Sequence, residues 1–188
     1  TITLADKIKD TSIVAIDKLR KMGIRTVMLT GDSKAAAAIV ANDADFTEYH
    51  SEMLPGDKDA YVRHRQSEGR IVAMVGDGIN DSQALARADV SIAMGTGTDV
   101  AIETSMMTLT SSDLRLLPKA IQLSRRTMRT IRENLFWAFI YNVIGIPVAA
   151  GLLFPIMGVT LDPMWASAAM AVSSITVVLN SLRLKLAR

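Results

Sequence analysis

The chain has 188 residues, a formal net charge of +2, 49% hydrophobic residues and a mean hydropathy of +0.26. The small net charge gives no indication of a nucleic-acid partner, and the absence of cysteine excludes disulfides and cysteine-ligated metal sites within these residues. Charged side chains are concentrated in residues 1–134, whereas residues 135–182 contain one carboxylate, Asp162. Because the first residue is Thr instead of Met, we expect the chain to be a piece of a longer protein.

Helical and strand patterns alternate through the charged part of the chain. Apolar side chains recur at helical spacing before Gly23, which provides a C-terminal stop, and Ser33 is a suitable N-cap for the alanine-rich segment after it. Helices are predicted over residues 11–22, 34–42, 56–66 and 80–87, and strands over residues 24–29, 46–49, 70–75, 90–94 and 107–109. The alternation predicts an α/β domain over residues 1–112 with a mostly parallel, doubly wound sheet.

A long basic helix is predicted over residues 113–134, and two apolar stretches without charge follow it. Each stretch, 135–154 and 164–182, is about 20 residues long and matches a bilayer core of about 30 Å at the helical rise. Two buried helices in a large soluble core are the alternative to a transmembrane hairpin over residues 135–182.

The charges on either side of the apolar stretches favour the hairpin. Arginine and lysine flank both ends, and the loop 155–163 contains neither. The positive-inside rule therefore predicts that residues 1–134 and the tail 183–188 are cytoplasmic.

Phosphate-binding residue types follow two of the predicted strands. GDGIND (residues 76–81) comes directly after an apolar run, Ile71 to Val75, that is predicted to be a buried strand, and TGD (residues 30–32) follows another. Ligands of an open α/β sheet bind at the carboxyl ends of its strands, where glycines allow close approach to phosphate and carboxylates hold Mg²⁺. A simple strand-to-helix turn is the alternative explanation for Gly-Asp-Gly alone.

Individual roles follow from the chemistry of each side chain. Asp77 and Asp81 are predicted to hold Mg²⁺, while Thr30 and Gly31 offer a hydroxyl and a backbone amide to phosphate oxygens. Lys58, in LPGDK (residues 54–58), offers a point charge for a phosphoryl group, although a lone lysine there is more often solvated.

Three segments together resemble the phosphorylation domain of P-type ATPases: TGD, LPGDK and residues 74–101, which contain GDGIND. The resemblance implies a haloacid-dehalogenase-like, Rossmann-like fold, ATP as substrate, and an aspartyl phosphate formed on an Asp-Lys-Thr-Gly segment, which we expect upstream of Thr1. It also implies a role for each matching residue. Asp77 would bind Mg²⁺, Thr30 would bind the phosphoryl group, and Asp32 would align the nucleotide and the metal. Lys58 would neutralise the charge of the phosphate, and Asn80 and Asp81 would support the site. Asp6 matches a family position near a hinge. Ser82-Gln83 departs from the Ala-Pro of many relatives.

Polar side chains in the two apolar stretches indicate a second site. Tyr141 and Asn142 lie in the first, and Met170 and Ser174 lie four positions apart in the second. Polar groups inside lipid often mark function, although serine and a single methionine are also common in helix packing. A thioether with neutral oxygen or nitrogen ligands suits Cu(I).

The same residues resemble the signature of the P-type ATPase subgroup that exports Cu⁺ or Ag⁺. The resemblance implies a transmembrane copper site formed by Tyr141, Asn142, Met170 and Ser174, together with a Cys-Pro-Cys segment that we expect upstream and a copper chaperone as a partner. We therefore expect an ATP-driven Cu(I) exporter in a bacterial inner membrane, of which this piece alone is inactive. A membrane-tethered phosphatase, a pump for another heavy metal such as Zn or Cd, and a truncated regulator are the alternatives.

Overall fold

The computed structural model describes residues 8–95, 97–150 and 163–186. The chain divides into two compact units, residues 1–119 and residues 120–188. Asp6, the predicted loop 155–163 up to residue 162, and the side chain of Met170 lie outside what the structure describes.

Helices and strands alternate in the first unit, as the sequence predicts. The helices are α1 (Asp10–Lys21), α2 (Lys34–Ala44), α3 (Pro55–Ser67), α4 (Ser82–Arg87) and α5 (Asp99–Thr104), and the strands are β1 (Val27–Leu29), β2 (Glu48–His50), β3 (Ala73–Gly76), β4 (Val90–Met94) and β5 (Met107–Leu109). The predicted N-cap is confirmed, since the Ser33 hydroxyl accepts a hydrogen bond from the Ala36 amide at 3.5 Å. Helix α5 was not expected from the sequence.

All the described strand pairs are parallel, which confirms the predicted direction of the strands. β1 pairs with β2, and β4 lies between β3 and β5. The prediction of one doubly wound sheet is only partly right, because the described strands form two separate sheets. No ladder of hydrogen bonds joins β1 to β3 in this part of the chain, so each of these strands is an edge of its own sheet.

The predicted strand over residues 70–75 begins later than expected. Ile71 is 86% exposed, and the strand starts at Ala73. The reason is a contact with a residue 17 positions further on: the Val72 amide donates to the Asp89 carboxylate at 2.8 Å instead of to a neighbouring strand. This hydrogen bond also holds the pKa of the Asp89 carboxyl below its usual range.

Helix α4 is held in the core of the first unit. Leu85 and Ala84 are fully buried, and they pack in one cluster with Val62 of α3 and Met74 of β3. Burying a leucine side chain contributes roughly 2 kcal/mol, so this contact gives α4 a firm position. The turn between β3 and α4 is therefore fixed at both of its ends.

A polar network ties α3 to β2. The Glu48 carboxylate accepts hydrogen bonds from His50 at 2.7 Å, from the Tyr61 hydroxyl at 3.0 Å and from Arg65 at 2.6 Å. The hydrogen bond from His50, followed by those from Tyr61 and Arg65, keeps the pKa of Glu48 low, while burial raises the pKa of Tyr61. The network orients the helix that also carries Lys58.

The second unit contains the larger part of one long helix and a second helix. α6 (Leu116–Ala149) is continuous and includes Pro147, so the predicted basic helix and the start of the first apolar stretch form a single element. α7 spans Pro163–Leu186. Among the described residues, no helix combines the length and the hydrophobicity that a membrane crossing requires. The first apolar stretch continues into residues 151–154, which are outside the described ranges.

Candidate phosphate and metal sites

The turn after β3 presents its polar side chains at the carboxyl end of the strand. β3 ends at Gly76, a short 3-10 helix covers Ile79–Asp81, and α4 begins at the next residue. The Asp81 amide donates to the Gly78 carbonyl at 3.1 Å, which closes the turn. Asp77 and Asn80 are exposed, whereas Asp81 is partly buried. The GDGIND motif therefore has the position at the sheet edge that the sequence predicts.

Lys58 and Asp81 form the central contact of the site. Lys58 Nζ donates to Asp81 Oδ1 at 2.7 Å, and the two side chains are only 12% and 14% exposed. A pair with so little solvent contact is held more firmly than a surface salt bridge. Lys58 is thus not a solvated helix lysine, and the pair brings two of the predicted site residues together across 23 positions of sequence.

Gly76 is required by the close approach of Asp81. A Cβ atom at this position would lie 2.7 Å from Asp81 Cβ and 2.8 Å from Asp81 Oδ2. Glycine here therefore allows the Asp81 carboxylate to fold back against the end of β3, where it meets Lys58.

The TGD segment forms a compact turn of its own at the end of β1. The Thr30 hydroxyl donates to Asp32 Oδ2 at 2.7 Å and accepts from the Asp32 amide at 3.1 Å. The backbone is held by the segment that precedes α3, since the Glu52 amide donates to the Asp32 carbonyl at 2.8 Å and the Met53 amide to the Thr30 carbonyl at 3.0 Å.

The two loops are connected through the start of α3. Residues 52–53 hold the TGD turn, and Lys58, one turn into α3, holds Asp81. Within the described ranges, no hydrogen bond or ion pair joins Thr30 or Asp32 directly to residues 77–81. The structure therefore places Thr30, Gly31 and Asp32 on one loop and Asp77, Asn80 and Asp81 on another, with Lys58 bound to the second.

Sequence reasoning assigned no role to two residues that support Asp77. The Thr98 amide donates to the Asp77 carbonyl at 2.9 Å, and a Cβ atom on Gly97 would lie 2.9 Å from that same carbonyl oxygen. A loop thus packs directly against the backbone of Asp77. The sequence contains part of the signal: Gly-Thr-Gly-Thr follows the strand β4 just as GDGIND follows β3, which marks a second loop after a strand but not its contact with Asp77.

The residues at this edge fit a magnesium ion that is also bound by a phosphate. Asp77 supplies hard carboxylate oxygens that accept no hydrogen bond from the described residues, while Asp81 is already paired with Lys58. The part of the chain that the structure describes contains no group of three or more acidic, histidine or cysteine side chains placed to hold a metal. Mg²⁺ typically binds one or two protein carboxylates and completes its coordination shell with water and substrate phosphate. The carboxylates at this edge fit that coordination.

We expect Gly76→Ala to displace Asp81 and weaken its contact with Lys58. Relief of this clash requires movement of the aspartate side chain, at a cost of about 1–3 kcal/mol. The thermal midpoint of the purified protein should fall by about 2–12 °C. Gly78→Ala is the matched control, because the contact nearest to its Cβ would be 3.9 Å away and its φ is −114°. Equal midpoints for the two variants would contradict the steric role of Gly76.

The four predicted copper-site residues lie on the two helices of the second unit. Tyr141 and Asn142 are on α6, and Met170 and Ser174 are on α7. Tyr141 packs against Trp137, with ring centroids 6.2 Å apart. Asn142 Nδ2 donates to the Ala138 carbonyl at 2.8 Å, which directs the amide along its own helix.

The first unit has the α/β fold that the sequence predicts. A family model described as a haloacid dehalogenase-like hydrolase matches residues 1–89, a range that ends between β3 and β4. The first unit, with its parallel strands and the carboxylate-rich turn at the carboxyl end of β3, therefore has a haloacid-dehalogenase-like fold.

Curated proteins and solved structures that are similar to this chain match almost its whole length. It is 52% identical over 184 residues to the copper-exporting P-type ATPase of Legionella pneumophila, covering 98% of this chain and 25% of that protein. It is 52% identical over 187 residues to the silver exporting P-type ATPase of Salmonella typhimurium, covering 100% of this chain and 23% of that protein. The crystal structure of a zinc-transporting PIB-type ATPase in an E2.Pi state matches with a TM-score of 0.82 and 36% identity over 96% of this chain and 28% of that chain.

The chain belongs to the PIB-type, or class IB, group of P-type ATPases. It spans about a quarter of the length of the curated relatives that it matches. The predicted resemblance to this family is confirmed.

Proposed function

We propose that this chain is part of an ATP-driven pump that exports Cu(I), or Ag(I), through an aspartyl-phosphate intermediate. The observation that carries the proposal is the combination of a GDGIND turn bound to Lys58 with Tyr141, Asn142, Met170 and Ser174 on two neighbouring helices. Relatives that export copper and silver are 52% identical to the chain over almost its whole length. The solved zinc-transporting relative is only 36% identical, which favours the monovalent ions.

The first unit would bind and orient the phosphoryl group. Thr30 and the Gly31 amide would contact its oxygens, Asp32 would hold the Thr30 hydroxyl in place through the 2.7 Å hydrogen bond, and Lys58 would neutralise its charge. Phosphoryl transfer depends mainly on such positioning and charge neutralisation. Asp77 and Asp81 would hold Mg²⁺, which neutralises the developing charge on the phosphate when it is bound.

Asp81 would keep Lys58 oriented until phosphate arrives. The pair is short, at 2.7 Å, and largely shielded from water, so the lysine does not have to be ordered during the reaction. Asn80, exposed in the same turn, would support the backbone around Mg²⁺.

The second unit would carry the transported ion. We propose that residues 135–154 and 164–182 form a transmembrane hairpin of a bacterial inner membrane, with residues 1–134 and 183–188 on the cytoplasmic side. Asn142 Nδ2 donates to its own helix, and its Oδ1 would serve as a neutral oxygen ligand of the metal. Met170 would add a soft thioether, and Tyr141 and Ser174 would add oxygen atoms, a set that suits a monovalent soft ion. A copper chaperone would deliver the ion.

The ATPase activity of the purified full-length protein tests this proposal. We expect strong stimulation by Cu(I) and Ag(I) and little by Zn²⁺. Strong stimulation by Zn²⁺ without a response to Cu(I) or Ag(I) would contradict the choice of metal, and an ATPase that no metal stimulates would point to a phosphatase without transport. Residues 1–188 alone should show no turnover, because they contain no Asp-Lys-Thr-Gly segment to accept the phosphate.

A further inference from the structure

A cluster of polar side chains joins α6 to α7. Asn180 Nδ2 donates to Asn134 Oδ1 at 2.8 Å and to Glu133 Oε2 at 3.4 Å, and Asn134 Nδ2 donates to Ser181 Oγ at 2.9 Å. The partners are 46 or 47 positions apart in the chain, so the contact is a tertiary one. We call Asn134, Asn180 and Ser181 the asparagine cluster; none of them has a role in the function proposed above.

Hydrogen bonds of this kind set the axial position of one helix against another. Apolar side chains can slide past each other at modest cost, whereas a paired amide that loses its partner in a poorly solvated interface loses its hydrogen bond as well. A buried asparagine that fixes the register of paired helices is a well-attested use of polar groups in helical interfaces. In the asparagine cluster both Asn134 and Asn180 are at least partly shielded from solvent.

Counting along both helices from the cluster gives the heights of the proposed metal ligands. Asn142 is eight residues beyond Asn134, or about 12 Å along α6. Ser174 and Met170 are six and ten residues before Asn180, or about 9 and 15 Å along α7. In an antiparallel hairpin Asn142 therefore lies at a height between Ser174 and Met170. A slip of one helical turn, about 5.4 Å, would take it out of that interval.

We propose that the asparagine cluster is a positioning contact that fixes the register of α6 against α7, and thereby sets the height of Tyr141 and Asn142 against that of Met170 and Ser174. Its residues touch neither metal nor nucleotide. The part of the inference that concerns metal rests on the proposed function, whereas the part that concerns register does not.

Cysteine crosslinking in the full-length protein, on a background whose other cysteines are serine, measures the register directly. Ala138 lies one turn beyond Asn134, and Val177 lies one turn before Ser181; both are half-buried. We expect the pair Ala138→Cys and Val177→Cys to form a disulfide at least about five-fold faster than Ala138→Cys with Ser173→Cys, since cysteines displaced by a turn are too far apart to bond. Adding Asn134→Leu and Asn180→Leu should remove the preference.

Thr176→Val is the matched control for these substitutions. Its hydroxyl donates to the Val172 carbonyl of the same helix at 2.8 Å, so the change removes a hydrogen bond within α7 instead of one to α6. The control should keep the crosslinking preference. Equal rates for the two cysteine pairs in the parent, or a preference that survives the double leucine substitution, would overturn the proposal.

Metal activation of the uncrosslinked protein gives a second readout. We expect Asn134→Leu to raise the Cu(I) concentration for half-maximal ATPase activity about ten-fold, as is usual when a residue that supports metal ligands is lost, with a maximal rate within about two-fold of the parent. If Asn134 and Asn180 act through their shared contact, the double variant should be no worse than the worse single variant. An unchanged half-activating concentration would overturn the positioning role. If the parent protein showed no activation by copper, the proposed function would be refuted. The crosslinking rates would still test whether the asparagine cluster fixes the register of α6 against α7.

Discussion

Replacing Lys58 with methionine is expected to lower phosphoenzyme formation from ATP at least about 100-fold in the full-length protein, the usual effect of losing one charged group that stabilises a transferred phosphoryl group. The physical reason is the position of Lys58 Nζ, 2.7 Å from Asp81 in a site with little solvent. The variant also leaves the Asp81 carboxylate without its partner, so the stability of the first unit should fall by about 2 kcal/mol, between the values for surface and buried pairs.

The double variant Lys58→Met and Asp81→Asn separates the two effects. Without an unpaired carboxylate the protein should regain much of its thermal stability, whereas phosphoenzyme formation should stay low. Lys18→Met is the control, since Lys18 is an exposed lysine on α1. Normal phosphoenzyme levels in Lys58→Met, measured with radiolabelled ATP and acid precipitation, would exclude Lys58 from the phosphate site.

Replacing Met170 with leucine is expected to weaken the activation of the ATPase by Cu(I) severely. Leucine keeps the apolar volume of the side chain and removes only the thioether, which is the soft donor of the proposed set. The half-activating Cu(I) concentration should rise about 100-fold or more, given that a direct ligand contributes more than the groups that support it.

Met128→Leu is the matched control for this change. Met128 is 48% exposed on α6, in a turn that holds none of the proposed copper ligands. Copper activation of Met128→Leu should equal that of the parent protein, measured by ATPase titration with buffered Cu(I). If Met170→Leu showed the same copper activation as Met128→Leu and the parent, Met170 would only pack between helices, which is the alternative that the sequence leaves open.

Local chemistry explains which parts of the fold were predictable. Ser33 caps α2 through a hydrogen bond three residues away, and the apolar spacing before Gly23 gives α1, so neighbouring residues contain the whole signal. The predicted start of β3 was wrong because the Val72 amide donates to the Asp89 carboxylate, 17 positions further on, and no local sequence pattern indicates this contact. Helix α5 was missed for a related reason: it is only six residues long and depends on its Thr98 cap and on the buried Ala101.

The same distinction applies to the candidate sites. Residue types and spacing predicted roles for Asp77, Lys58, Asn142 and Met170, because phosphate and soft-metal chemistry each require a small set of side chains. The sequence could not indicate that Gly97 packs against the Asp77 carbonyl, since this close approach exists only after the loop beyond β4 has folded onto the end of β3.

Composition and motifs alone predicted the α/β domain that the structure confirms, and they indicated two candidate sites: one for phosphate in that domain and one of neutral and soft ligands on the helices that follow. Folding was needed to pair Lys58 with Asp81 across 23 positions, to divide the strands between two sheets, and to join Asn134 to Asn180. The physical reason is that side-chain identity specifies which interactions are possible. Distance and burial, which decide the interactions that form and their strength, arise only when remote segments pack together.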